Sequence, residues 1–258
     1  AMKNGTGLHK FQEKFPDRFF DVGIAEGHAV TFAAGLAAAG LKPVFAAYSA
    51  FLQRGYDQLV HDVCMQNLPV IFAIDRAGAV GDDGETHQGI YDISYLSHLP
   101  HMTVLAPKNR YELKAMMDYA VNFDGPIAIK YSRGAAYKEL EIFDAPIEYG
   151  KSEWIFTGKD IAIIACGNMV EEAVTLVDML KKDGIKPSLI NARFVNVVDM
   201  EMLKKVVDNH GMIVTMEENI SVGGYGEMIA AKLIDSGLTK DKNIIHIDGS
   251  IPVSKVEH

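Results

Sequence analysis

With 258 residues, 48% of them hydrophobic and 23% charged, the chain exceeds an ordinary single domain and has the apolar content of a well-buried core, which excludes disorder and points to two domains. The 25 basic and 34 acidic residues give a net charge of -9, and without a long run of one sign this excludes a broad nucleic-acid-binding surface. No apolar stretch approaches the roughly 20 residues of a membrane span and no signal peptide precedes Phe11, so no membrane association and a cytoplasmic location are expected.

Short β-rich apolar runs alternate with helical patterns along the chain, the signature of parallel βαβ units. The opening AMKNGTGL and the close IPVSKVEH read as the ends of a fragment. FFDVGIA is expected as a short buried strand leading into Glu26, and HAVTFAAGLAAAG as a helix over 28–39. PVFAAY (43–48), a helix over 50–66, PVIFAID (69–75), MTVLAP (102–107), a helix over 110–122 and PIAIKY (126–131) complete a first alternation. The polar, irregular stretch 132–151 reads as a linker. A second alternation follows: IAIIACG, a helix over 170–182, PSLINA, a helix over 198–209, MIVTME, a helix over 224–236, and NIIHID. The expected fold class is α/β, two consecutive domains over 1–135 and 153–258, each a mainly parallel sheet flanked by helices, joined by a linker over 136–152. Cys64 and Cys166, in HDVCMQ and IIACGN, are expected as buried thiols of a reducing compartment.

In open parallel sheets, ligands sit outside the carboxyl ends of the strands. Glu26 follows FFDVGIA, Tyr48 ends PVFAAY, Arg76 follows PVIFAID and Arg133 follows PIAIKY, so one acid, one phenol and two guanidiniums are placed to converge on one pocket. A Glu where a helix begins gains roughly 0.3 to 1 kcal/mol from the helix dipole without any further role. The alternative is a carboxylate held in an apolar site to exchange a proton with a bound cofactor. The loop DRAGAVGDDGETHQG (75–89) combines four glycines with acids, an Arg and a His, and far exceeds the usual 2 to 6 or so residues of a βα loop, which marks it as functional. The spacing of Asp82, Asp83, Glu85 and His87 fits neither an EF-hand nor a zinc motif, so no metal held by this chain is expected. The glycines of ENISVGGYGE (218–227) come nearer to a dinucleotide fingerprint, but a glycine turn before a helix is commonly structural.

The blocks IAEGHAVTFAAGLA, YSAFLQRGYDQLVHDV, DRAGAVGDDGETHQG and YSRGAA together resemble the pyrimidine-binding domain of the 1-deoxy-D-xylulose-5-phosphate synthases, thiamine-diphosphate enzymes of the transketolase superfamily. The second half resembles that family's C-terminal domain, so the resemblance covers nearly the whole chain. The loops of general transketolases and of two-oxoacid dehydrogenase β chains do not resemble 75–89. Nothing matches the family's amino-terminal domain, which binds diphosphate and Mg2+ through a GDG-type motif.

The resemblance implies an enzyme that decarboxylates pyruvate and joins the two-carbon unit to glyceraldehyde 3-phosphate, giving 1-deoxy-D-xylulose 5-phosphate for isoprenoid and thiamine precursors. It implies a homodimer that needs the amino-terminal domain for activity. Carried over residue by residue, Glu26 pairs with N1′ of the cofactor's aminopyrimidine, Phe51 stacks on that ring, and Tyr48 and His87 orient pyruvate or move protons. Asp83 faces the sugar hydroxyls, and Arg76 and Arg133 hold the acceptor's phosphate, a task that planar guanidiniums suit better than Lys. Gly27 departs from the Gln common at that place, and a roomier pocket is expected there. Two other readings remain: the C-terminal subunit of a split transketolase, and a noncatalytic dimerisation module.

Overall fold

The computed structural model describes residues 3–239 and 242–249, and of Asp82 only the backbone. Strands form where β-branched and aromatic residues run together. Val44–Tyr48 (β1), Ile71–Asp75 (β2), Thr103–Leu105 (β3) and Ile127–Lys130 (β4) make an all-parallel sheet in the order β1-β2-β4-β3. The central pair β2 and β4 is buried almost throughout, which is why IFAI and IAIK show no apolar-polar alternation. Glu153–Phe156 (β5), Ile161–Ala165 (β6), Ser188–Asn191 (β7), Met212–Met216 (β8) and Asn243–Ile247 (β9) form a second sheet in the order β5-β7-β6-β8-β9, with β5 antiparallel to β7 and the other pairs parallel. The two mainly parallel sheets and their helices are the α/β architecture expected from the alternation.

The helices are His9–Lys14 (α1), Glu26–Ala38 (α2), Ser49–Leu52 (α3), Tyr56–Gln58 (α4), Asp92–Leu96 (α5), Arg110–Asn122 (α6), Met169–Lys182 (α7), Met200–Asn209 (α8) and Tyr225–Asp235 (α9). Two of the starts are set by side chains that replace missing backbone partners: Asn109 Oδ1 accepts from Glu112 N at 2.9 Å before α6, and Asp199 Oδ1 accepts from Met202 N at 3.0 Å before α8. Residues 132–151 contain no helix or strand.

Several elements depart from the sequence reading. FFDVG forms no strand: Phe20 and Ile24 are exposed and the segment pairs with neither sheet, so its apolar run lacks the two-sided burial that a parallel strand needs. The helix expected over 50–66 starts at Ser49 and is broken, passing from α3 through a 3-10 turn at Gln53–Gly55 and α4 into a π-helical turn at Leu59–Cys64. At the break, Gly55 packs closely on α2, where an added Cβ would lie 3.0 Å from Val30 Cγ2. The edge strand β5 and the short helices α1 and α5 were not legible as periodic segments. Cys64 and Cys166 are free and buried as expected, and burial pushes the Cys64 thiol up to about 12. Among the described residues no helix is long and apolar enough to cross a membrane.

The two sheets share one apolar core, which runs from Val30 and Leu52 through Val104 and Ala106 to Ile164, Ile190 and Ile229. The β3 edge of the first sheet is closed by the chain that follows β7: Ala106 N donates to Arg193 O at 2.9 Å and Val195 N to Val104 O at 2.9 Å. Beside this seam lies a buried ion cluster. Glu112 of α6 accepts from Lys108 Nζ at 3.0 Å and Arg193 Nε at 2.8 Å, while Glu153 of β5 accepts from Lys108 Nζ at 2.6 Å and Arg193 Nη2 at 2.7 Å. Asn191 Nδ2 donates to both Glu112 oxygens at 3.0 Å, and Arg193 also donates to the carbonyls of Ala145 and Pro146. Two cations and two anions therefore lie buried with nearly all their polar atoms engaged. Removing one member strands an opposite charge, so Arg193→Ala is expected to lower stability by about 3 to 5 kcal/mol. Urea unfolding of the variant beside the parent chain checks this, and a loss below about 1 kcal/mol, the size of a surface pair, would contradict it.

Candidate active site

The carboxyl ends of both sheets face one another across a cavity of about 530 Å3, lined by residues after β2 (Arg76), β4 (Arg133), β6 (Asn168) and β8 (Glu218). On the first sheet, the backbone turns sharply as it leaves β2. Arg76 has φ +58°, a left-handed conformation costly for a side-chain-bearing residue, and Asp75 Oδ1 accepts from its N–H at 2.7 Å while Ala77 N donates to Tyr131 O. This turn lays the Arg76 guanidinium over the Tyr48 ring, with Cζ 4.0 Å from the centroid. Burial raises the Asp75 carboxyl above the usual carboxylate range, although the Arg76 N–H and guanidinium pull it down.

Six of the seven residues expected at the site form one connected group. Tyr48, at the end of β1, stacks on Phe51 of α3 with centroids 5.2 Å apart, and Phe51 meets His87 edge-on at 5.2 Å. Arg76 contacts the Asp83 carboxylate, and Arg133 Nε lies 3.5 Å from the same oxygen. His87 Nδ1 lies 3.0 Å from Thr86 Oγ1. Asp83 thus bridges the two guanidiniums in this structure.

Glu26 stands apart from those contacts. It is the first residue of α2, half-buried, and follows an irregular segment rather than a strand, so three strand ends and one helix start supply the group instead of the four strand ends expected. Its carbonyl lies against Gly55, one turn beyond Phe51. Among the described residues its carboxylate has no hydrogen-bond or ion-pair partner, which leaves it open to a bound molecule or to solvent.

The supporting residues include several that the sequence reading passed over. Lys130, at the end of β4, donates to buried Asp92 Oδ1 at 2.6 Å, and Ser49 Oγ donates to Asp92 Oδ2 at 3.0 Å, which ties the start of α3 to the middle of the sheet. The loop 75–89 is pinched at its neck by mutual backbone hydrogen bonds of 2.8 Å between Gly78 and Gly89. Gly89 is required there, since an added Cβ would lie 2.4 Å from Arg76 O. The glycines of ENISVGGYGE serve a helix start: Glu217 accepts from Tyr225 N and Gly226 N at 2.8 Å each, capping α9. The strand-end rule, applied to the second sheet as it was to the first, singles out Asn168 and Glu218.

Comparison with known proteins settles the family. Residues 1–138 match the description "Transketolase, pyrimidine binding domain" and residues 150–247 match "Transketolase, C-terminal domain". The chain belongs to the transketolase family. Among transketolase-family relatives it is 55% identical to the 1-deoxy-D-xylulose-5-phosphate synthase of Lachnoclostridium phytofermentans over 258 residues, which is 100% of this chain and 41% of that protein. It is 50% identical to the enzyme of that name from Natranaerobius thermophilus over 266 residues, 99% of this chain and 42% of that protein. The chain therefore spans about two-fifths of the length of these relatives. A solved structure titled as a split gene transketolase, inactive beta4 tetramer, superposes with a TM-score of 0.86 at 27% identity, covering 97% of this chain and 81% of that one.

One expectation tied to the transketolase family is corrected. Gly27 leaves no open space, because an added Cβ would lie 3.0 Å from Gln58 Oε1 and 3.3 Å from Gln58 Cδ. The Gln58 side chain of α4 already lies against the position. Only the flexible end of Gln58 stands in the way, and glycine within a helix costs about 0.5 to 1 kcal/mol relative to alanine. Gly27→Ala is accordingly expected to raise the unfolding free energy by up to about 1 kcal/mol, read from chemical denaturation. A loss of stability would show that Gln58 is fixed where it is.

Proposed function

We propose that this chain is part of a 1-deoxy-D-xylulose-5-phosphate synthase, decarboxylating pyruvate and joining the two-carbon unit to glyceraldehyde 3-phosphate. The identity of 50 to 55% to relatives of that name supports the reading over a split transketolase subunit, for which the likeness is 27%. The observation that carries the catalytic part is the Glu26 carboxylate at the start of α2, where its own backbone lies against Gly55, one turn beyond Phe51, and where it has no hydrogen-bond or ion-pair partner among the described residues.

These residues fit the pyrimidine half of thiamine diphosphate. A carboxyl group without a partner suits a ring nitrogen, and Phe51 offers a ring face. When bound, thiamine diphosphate supplies the carbon nucleophile that labilises the carboxylate of pyruvate. Glu26 holds a proton at N1′ of the pyrimidine, favouring the tautomer whose exocyclic nitrogen acts as a base. His87, with Nδ1 engaged by Thr86, presents Nε2 to the reacting groups and moves a proton there, while Tyr48 orients pyruvate through its hydroxyl. Arg76 and Arg133 hold the acceptor's phosphate, and Asp83, between them, faces the sugar hydroxyls. The diphosphate and Mg2+ are held by residues outside this sequence. We assign residues 1–135 to the pyrimidine-binding domain, 136–152 to a linker and 153–258 to the C-terminal domain, of which 240, 241 and 250–258 lie outside the described residues. A homodimer in the cytoplasm completes the proposal.

Glu26→Gln in the full-length enzyme is expected to leave the circular dichroism spectrum unchanged and to lower turnover by roughly 10²- to 10⁴-fold, the contribution of a positioned acid or base. Turnover near that of the parent would sink the assignment of Glu26.

A further inference from the structure

The loop that carries Asp83 and His87 is gripped from the other domain. After β8 the chain runs Glu217 to Gly224 along the neck of the 75–89 loop and the start of α5, and it makes polar contacts on both sides of the Gly78–Gly89 bridge. On one side, the Glu218 carboxylate packs so closely on Gly78 that a Cβ there would fall 2.1 Å from Glu218 Oε2, with the Ala79 N–H nearby. On the other, Ile220 N donates to Ile90 O at 2.9 Å and Asn219 Oδ1 accepts from Ile93 N at 3.1 Å. Ser94 Oγ donates to Val222 O at 2.6 Å and accepts from Asn219 Nδ2 at 2.8 Å. Glu218 is itself oriented by Asn168, whose Nδ2 donates to Oε2 at 2.6 Å from the end of β6.

We propose that Glu218, held by Asn168, is a positioning residue: a clasp from the second domain that fixes the neck of the loop and so sets where Asp83 and His87 stand relative to Tyr48, Phe51 and Arg76. Three features support a clasp over ordinary packing. Gly78 has φ +82° and no side chain, so the carboxylate meets bare backbone. The contact falls at the neck, where a small rotation is magnified at the loop tip. A part-buried carboxylate is costly to keep unless its hydrogen bonds are used, and desolvation does raise the Glu218 carboxyl above its ordinary range despite the Asn168 donor, nearby Lys130 and the Ala79 N–H. The geometry stands on its own; its consequence for catalysis rests on the reading of His87 and Asp83 given above.

The test is hydrogen-exchange mass spectrometry on the full-length protein and its Glu218→Ala, Glu218→Gln and Asn168→Ala variants, with turnover measured on the same samples. Glu218→Ala is expected to speed amide exchange across 79–92 by about 10- to 100-fold, the ratio set by losing the charge-assisted hydrogen bond from Asn168 that holds the carboxylate on Gly78, while β6 and β8 keep the parent's protection. Glu218→Gln, which retains an acceptor oxygen at the same place, restores most of the protection, and turnover follows the same order. Unchanged exchange across 79–92 in Glu218→Ala overturns the clasp. If that variant does not fold, Asn168→Ala decides, with faster exchange across 79–92 supporting the clasp and parent-like exchange overturning it. A loosened loop with parent-like turnover supports the clasp and overturns the catalytic reading of the loop.

Discussion

Much of the structure depends on keeping four buried charges paired. Lys108, Glu112, Glu153 and Arg193 come from the end of the first sheet, a flanking helix and two places in the second sheet, and each charge is satisfied only if both domains and the connecting segment are in register. An ion cluster of this kind adds little net stability relative to an apolar core of the same shape, because desolvating each ion offsets most of the Coulomb gain. Its effect is orientational. Any slip of one sheet against the other would leave a buried charge unpaired, so the cluster selects one arrangement of the two domains. The carbonyls of Ala145 and Pro146 bring the irregular connecting segment under the same constraint.

That fixed arrangement is what allows two sets of strand ends to face one cavity. The first sheet contributes Arg76 and Arg133, which can engage charge, while the second contributes Asn168 and Glu218, which hold a loop belonging to the first. The site is therefore built across the seam, and the strain at Arg76 is tolerated because hydrogen bonds on both sides of that residue leave the turn little alternative. Asn168 and Glu218 act on no reacting group in this account. Their contribution is to limit where the reacting groups stand, which for a near-attack geometry matters on the scale of an ångström.

What was legible in the sequence follows the physics of each signal. IFAID, IAIK and IAIIA are strongly apolar, β-rich and bounded by turns, and they fold as the buried parallel strands they suggest. FFDVG is as long and as rich in β-formers at its start, and nothing local distinguishes a strand from an extended segment whose Phe20 lies on the surface. The close approach of Gly55 to Val30 at the helix break was hidden because Val30 lies some 25 residues away in sequence, and no periodicity records such a contact. The grouping of Tyr48, Phe51, Arg76, Asp83, His87 and Arg133 was visible because strand ends and a long loop converge by topology. Their pairing was not, since the Asp83 bridge between two arginines depends on rotamers. Gly27 was misjudged for a similar reason: removing a side chain empties space only if no neighbour fills it, and Gln58 does.

The central claim is that this chain supplies the pyrimidine-facing half of a thiamine diphosphate site, with Glu26 as the proton-holding acid. A crystal structure of the full-length protein with thiamine diphosphate and Mg2+ tests it most directly. The account predicts a Glu26 carboxylate oxygen within hydrogen-bond reach of the pyrimidine N1′, about 2.6 to 3.2 Å, and the Phe51 ring against the pyrimidine face. A pyrimidine nitrogen held by another group, with Glu26 turned to solvent, would contradict it.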